Sequence, residues 1–134
     1  MELSSSLVHL YKLSAPWIDA AQAKELKKAQ ALAALYAKIK PLEPLSGKTI
    51  ILVDDGIATG ATVFSTIKSL RQQGVKILII ASSVAAFAIW EKIVKLTNDA
   101  VCLATPEEFT GVSSFYEHFE PVEDETIIDL LKST

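Results

Sequence analysis

The chain has 134 residues, half of them apolar, with 13 Lys and Arg against 16 Asp and Glu and a formal net charge of −3. That length suits one domain, and that apolar fraction supports a full core and excludes a disordered chain. There is no basic excess to coat a phosphate backbone, so nucleic-acid binding is not expected, and a single cysteine, Cys102, excludes an internal disulfide and an all-cysteine metal site.

Residues 1–16 carry Leu7, Val8, Leu10, Tyr11 and Leu13, a pattern that suits either a short helix or an extended arm. They lack the basic stretch, apolar run and small-residue cleavage site of a secretory signal, so the expected compartment is the cytoplasm. Pro16 suits a helix start, and 17–40 reads as one long helix. Its apolar positions Ile18, Leu26, Ala29, Ala33, Tyr36 and Ile39 recur at helical spacing. Lys24, Lys27, Lys28 and Lys38 read as its solvated side. Pro41 and Pro44 end it.

From Leu45 the pattern changes. Ser46-Gly47 is a turn signal, and 48–53 is a short β-branched strand running into two aspartates. Residues 60–73 read as a helix with Val63, Ile67 and Leu70 inward and Gly74 as its stop. Residues 75–81 form a continuous apolar strand, 84–96 a helix with Ser83 as its N-cap, and 100–104 a third strand. The most apolar stretch, 77–90, is short and carries Ser82 and Ser83, so no membrane span is expected. Strands alternating with helices predict right-handed βαβ units and a parallel sheet, and continuous apolar runs predict strands buried on both faces. After Pro106 comes an aromatic-rich loop, then a closing helix over 124–132 with acids in its first turn. The expected organisation is a single domain over 1–134. It comprises an N-terminal arm and helix (1–44), a βαβαβ core (45–105), and an aromatic loop with a C-terminal helix (106–134).

The chemistry concentrates in 50–62, IILVDDGIATGAT. In open parallel sheets, ligands bind at the carboxyl ends of strands, where this turn lies. Backbone N–H groups from Ala58 to Thr62, backed by a helix start, form an anion-binding nest. Gly56 and Gly60 are expected to let the backbone bend and approach a ligand, and Thr59 and Thr62 add hydroxyls. Two aspartates before such a nest would repel a bare phosphate. They suit a ligand with an anionic end and a hydroxyl-rich or metal-bound part nearby, such as a sugar phosphate.

This strand–Asp–Asp–loop–helix segment resembles the ribosyl-phosphate signature of type I phosphoribosyltransferases, enzymes that use phosphoribosyl pyrophosphate (PRPP) and Mg²⁺. The resemblance runs through both βαβ units to about Thr105. More weakly, the tail TPEEFTGVSSFYEHFEPVEDETIIDLL is similar to that of a little-characterised branch carrying the same DDGIATGAT string. It implies an α/β fold with a Rossmann-like parallel sheet, truncated here to about three core strands behind a long N-terminal helix. It also implies that Asp54 and Asp55 take the ribose hydroxyls and face Mg²⁺, directly or indirectly. By position, Gly56, Ala58, Thr59, Gly60, Ala61 and Thr62 would take the 5′-phosphate. The loop after the last strand would bound a nucleobase-like acceptor, with Phe109 and Tyr116 as first candidates to contact it. The blander account of Phe109, Phe115, Tyr116 and Phe119 is a cluster pinning the loop to the sheet.

Two departures stand out. Members acting on 6-oxopurines usually carry an acid at the position of Ala58, so a hypoxanthine or guanine transferase is disfavoured. The family also has earlier strands, one ending in the loop that grips pyrophosphate, and no strand–loop–helix before Lys48 answers to it. Two readings follow: a phosphoribosyltransferase using PRPP, or a non-catalytic module binding ribose 5-phosphate. In a third reading the missing strands come from a second copy or a partner chain, because an apolar strand at the sheet edge invites pairing.

Other residues read as structural. His9 and His118 match no metal spacing, Cys102 sits mid-strand in an apolar run, and Lys76 is solvated. Arg71, the sole arginine, complements its helix dipole.

Overall fold

The computed structural model of the protein describes residues 14–39, 41 and 43–133, so His9 and the expected arm up to residue 13 lie outside it. The chain forms two compact units, Pro44–Glu120 and the flanking stretches Met1–Glu43 with Pro121–Thr134.

In the flanking unit, α1 spans Ala15–Ile39 and α4 spans Asp124–Ser133. The two helices contact each other. Both begin near the expected residues. The lysines expected to be solvated are exposed, and Lys28 pairs with Glu25 at 3.1 Å. The apolar positions that recur along α1 form no core: none of its residues is buried and Leu26 is 59% exposed. The physical reason lies in its composition: alanine-rich turns spread apolar surface around the cylinder instead of gathering it into one stripe.

The unit Pro44–Glu120 carries three strands, β1 (Thr49–Ile57), β2 (Ile77–Ala85) and β3 (Asp99–Ala104), with α2 (Ala61–Gln72) and α3 (Phe87–Val94) between them. All pairings are parallel and the order is β1-β2-β3. The fold is therefore α/β with a short parallel sheet, as the alternating pattern predicts. Val63, Ile67 and Leu70 of α2 are buried at helical spacing. They meet Leu78 and Ile80 of β2 and Ile93 of α3, which are fully buried. Each such side chain contributes about 1.5–3 kcal/mol relative to exposure.

Three expectations need correction. β1 does not stop at Val53 but continues through both aspartates to Ile57, because Asp54, Gly56 and Ile57 pair with Ser82, Val84 and Ala85. The same pairing lengthens β2, so Ser83 is a strand residue and not an N-cap. The cap position of α3 falls to Ala86, without a side-chain bond. The strands are also not buried on both faces. β1 alternates: Ile50 and Leu52 pack on the core, while Ile51 and Val53 are exposed. Val101 and Leu103 of β3 are exposed too. Within this unit α2 and α3 cover one face only, so alternate residues of each edge strand stand free.

A 3₁₀ turn at Val112–Phe115 follows β3 in the long loop and contacts both β1 and β2. Among the described residues, no helix is long and apolar enough to cross a membrane.

Candidate functional site

At the carboxyl end of β1 the chain leaves the sheet at Ile57, turns through Ala58 and Thr59, and enters α2 at Gly60. Gly60 has φ +72°, in the left-handed region. A Cβ there would stand 2.7 Å from both Ile89 Cγ2 and Phe64 Cε2, so only glycine fits the turn. The first helical bond runs from the Phe64 amide to the Gly60 carbonyl at 2.8 Å. The amides ahead of it are left over, as at every helix start. Among the described residues, those of Ala58, Thr59, Gly60, Thr62 and Val63 donate no internal hydrogen bond, and Ala61 makes only a long 3.4 Å contact to Thr59 Oγ1. These donors line a hollow of about 200 Å³ bounded by Asp54 and residues 56–63. The volume and the donor set suit a phosphate group at a helix N-terminus. Val63 joins the lining, a position that sequence reasoning did not single out.

Asp54 is half-buried at the rim, and its Oδ1 accepts the Gly56 amide at 3.0 Å. Burial raises its pKa above the ordinary carboxylate value. The Gly56 amide opposes that shift, and the neighbouring Asp55 charge adds to it. Asp55 is exposed, follows Asp54 along an extended strand, and is not among the residues lining the hollow. Strand alternation is the reason: consecutive side chains leave opposite faces. The hollow's lining includes no lysine, arginine or histidine. Its attraction for an anion therefore rests on amides, hydroxyls and the helix dipole.

Gly56 serves differently from expectation. Its φ is not positive, and a Cβ there would lie 2.3 Å from Val112 Cγ1. The missing side chain makes room for the loop. Close by, the Tyr116 hydroxyl donates to the Asp55 carbonyl at 2.6 Å. The Tyr116 ring meets Phe119 at 5.1 Å, and Phe109 stacks on Phe115 at 5.5 Å. The aromatic cluster thus ties the loop together and to the end of β1. Val112 was missed in the sequence because a lone valine in a loop carries no signal until its partner glycine is known.

Cys102 is half-buried and its thiol, pushed up in pKa by burial, contacts the Ala104 carbonyl at 3.1 Å. His118 is exposed. Arg71 does more than complement a dipole: its guanidinium reaches Leu96 O and Asn98 Oδ1 at 3.3 and 2.9 Å.

A parallel sheet, an acidic strand end and a run of amides opening a helix define an α/β protein with an anion-binding geometry at the carboxyl end of its first strand. Comparison with known proteins agrees. The phosphoribosyl transferase domain family matches residues 11–116, and the chain belongs to that family. A Mycobacterium tuberculosis protein provisionally named as a phosphoribosyl transferase is 30% identical over 129 residues, covering 96% of this chain and 29% of its own. A ribose-phosphate pyrophosphokinase of Prochlorococcus marinus is 50% identical over 44 residues, 33% of this chain and 13% of its own. The crystal structure of TT1426 from Thermus thermophilus superposes with a TM-score of 0.75 at 26% identity, over 94% of this chain and 60% of that one. The chain thus spans less than two thirds of these relatives.

Proposed function

We propose that the chain binds the 5-phosphoribosyl group of PRPP and transfers it to a nitrogenous, nucleobase-like acceptor. The observation that carries this reading is the run of free amides from Ala58 to Val63 directly after an acidic strand end. The nest holds the 5′-phosphate, and the acids face the ribose. Transfer is displacement at the anomeric carbon: the acceptor nitrogen bonds to it as the bond to pyrophosphate breaks. Asp54 and Asp55 stabilise positive charge that develops on the ring, and fixed amides need no reorganisation.

The donor set fits Mg²⁺. Two carboxylates follow one another on the strand end, and Mg²⁺ is held by one or two carboxylates with water and substrate phosphates. Asp54, at the rim of the hollow, would hold it, with Asp55 on the opposite face acting indirectly, and it would neutralise the leaving pyrophosphate. Among the described residues no larger metal-ligating cluster exists, so phosphate oxygens would complete the shell.

A second reading, a non-catalytic phosphoribosyl-binding module, is favoured by one specific observation. Among the described residues no strand precedes β1, and β1 lies at the sheet edge. The pyrophosphate-gripping loop would then come from a second copy or a partner chain paired along β1.

Calorimetric titration of the chain with ribose 5-phosphate and with PRPP plus Mg²⁺ tests both readings. Binding of both, with pyrophosphate release in the presence of a base, supports the transferase. Equal binding without release supports the module. Absence of binding by either ligand, unchanged in Asp55→Asn, overturns the site. Elution as a monomer at high concentration counts against the pairing along β1.

A further inference from the structure

Two contacts from one loop fall on consecutive residues of the acidic strand end. Val112 occupies the space where a side chain at Gly56 would stand. Four residues later, Tyr116 donates its hydroxyl to the Asp55 carbonyl, a link across 61 residues of sequence. The 3₁₀ turn between them fixes their spacing, and the stacked Phe109–Phe115 pair and the tilted Tyr116–Phe119 pair hold that turn in shape. Asp55 and Gly56 flank the amide that Asp54 accepts, so both carboxylates ride on the backbone segment the loop clamps.

We propose that Tyr116 is a positioning residue, whose hydroxyl, with Val112 seated on Gly56, clamps the 106–120 loop to the acidic end of β1 and so fixes the backbone from which Asp54 meets the ribose. This inference rests on the proposed ribosyl-phosphate site and assigns to Tyr116 a role that a base-stacking ring would not need. Stacking uses the face of the ring and tolerates phenylalanine. The clamp uses the hydroxyl and does not.

Gly56 borders the hollow, but the amides from Ala58 onward are held by Gly60 and the α2 start, so loosening the clamp moves the sugar end of the site and spares the phosphate end. Tyr116→Phe is therefore expected to weaken ribose 5-phosphate binding about fivefold, the worth of one hydrogen bond, and to leave inorganic phosphate binding unchanged. Equal affinity of wild type and Tyr116→Phe for ribose 5-phosphate would overturn the proposal, as would parallel loss for both ligands. A second measurement is independent of any ligand. Hydrogen exchange in 49–57 and in 106–120 is expected to speed up together in Tyr116→Phe, by a similar factor. Unchanged exchange in 49–57 would overturn the clamp even if the wild type binds neither ligand and the ribosyl-phosphate reading fails. A rescue pair closes the test: Gly56→Ala strikes Val112, and Val112→Ala in the same chain is expected to restore much of the lost protection, a coupling that independent sites do not show.

Discussion

The two ends of the three-stranded sheet treat their backbone in opposite ways. At the amino end, Gly47 donates to the Gly74 carbonyl at 2.8 Å and Lys76 to the Lys48 carbonyl at 2.9 Å. Asn98 joins β3 to β2 by both its amide and its side chain: its N–H reaches Leu78 O, and its Oδ1 takes the Leu78 amide at 2.9 Å together with Arg71. At the carboxyl end, five amides between Ala58 and Val63 stay without internal acceptors, beside a half-buried aspartate. One end closes its own hydrogen bonds and holds the strands in register. The other leaves donors unpaired, at the cost of stability that the first end and the core supply.

Gly60→Ala should break the carboxyl end most severely. The new Cβ meets Ile89 and Phe64 at 2.7 Å in a left-handed residue, so a loss of about 2–4 kcal/mol is expected in urea unfolding, together with loss of phosphate binding. Asn98→Ala attacks the amino end. It strands the Leu78 amide and should cost about 1–3 kcal/mol with ribose 5-phosphate affinity unchanged by calorimetry. Arg71→Ala removes the outer half of the same clasp, which is exposed, and should lower stability by under about 1 kcal/mol in the same assay.

The smallest effect has the opposite sign. Asp54 has a folded pKa above its ordinary value of 3.8, so the folded chain binds that proton more tightly than the unfolded chain does. Stability from this group is present at low pH and falls as pH rises from about that ordinary value through the raised one. Asp54→Asn keeps an oxygen for the Gly56 amide and removes the charge. It should raise the urea midpoint slightly at neutral pH, erase that group's share of the pH slope, and weaken ribose 5-phosphate binding. A lower midpoint at neutral pH would show instead that the charged form stabilises the turn.

Much of this was legible along the chain. The alternation of apolar strands with helices of 3.6 period announced a parallel α/β sheet, and Val63, Ile67 and Leu70 were readable as the inward face of α2. The string DDGIATGAT marked a turn into a helix after two acids, and the structure has that turn with its amides unpaired. Family membership followed from the same string and its context.

Other features needed the third dimension. The extension of β1 through Asp54 and Asp55 depends on the partner strand, since register with Ser82–Ala85 carries pairing beyond the point where apolar residues stop. The separation of the two acids onto alternate sides follows from that extension. The exposed face of Ile51, Val53 and Leu103 also could not be read, because an apolar run looks the same whether one face or two are covered. Local periodicity and turn chemistry act over a few residues, so the sequence by itself determined the elements, the nest and the acids. Val112 against Gly56, Tyr116 on Asp55 and Arg71 with Asn98 join residues 27 to 61 positions apart in chain order, one of them through a missing side chain, and only packing of the folded chain decided them.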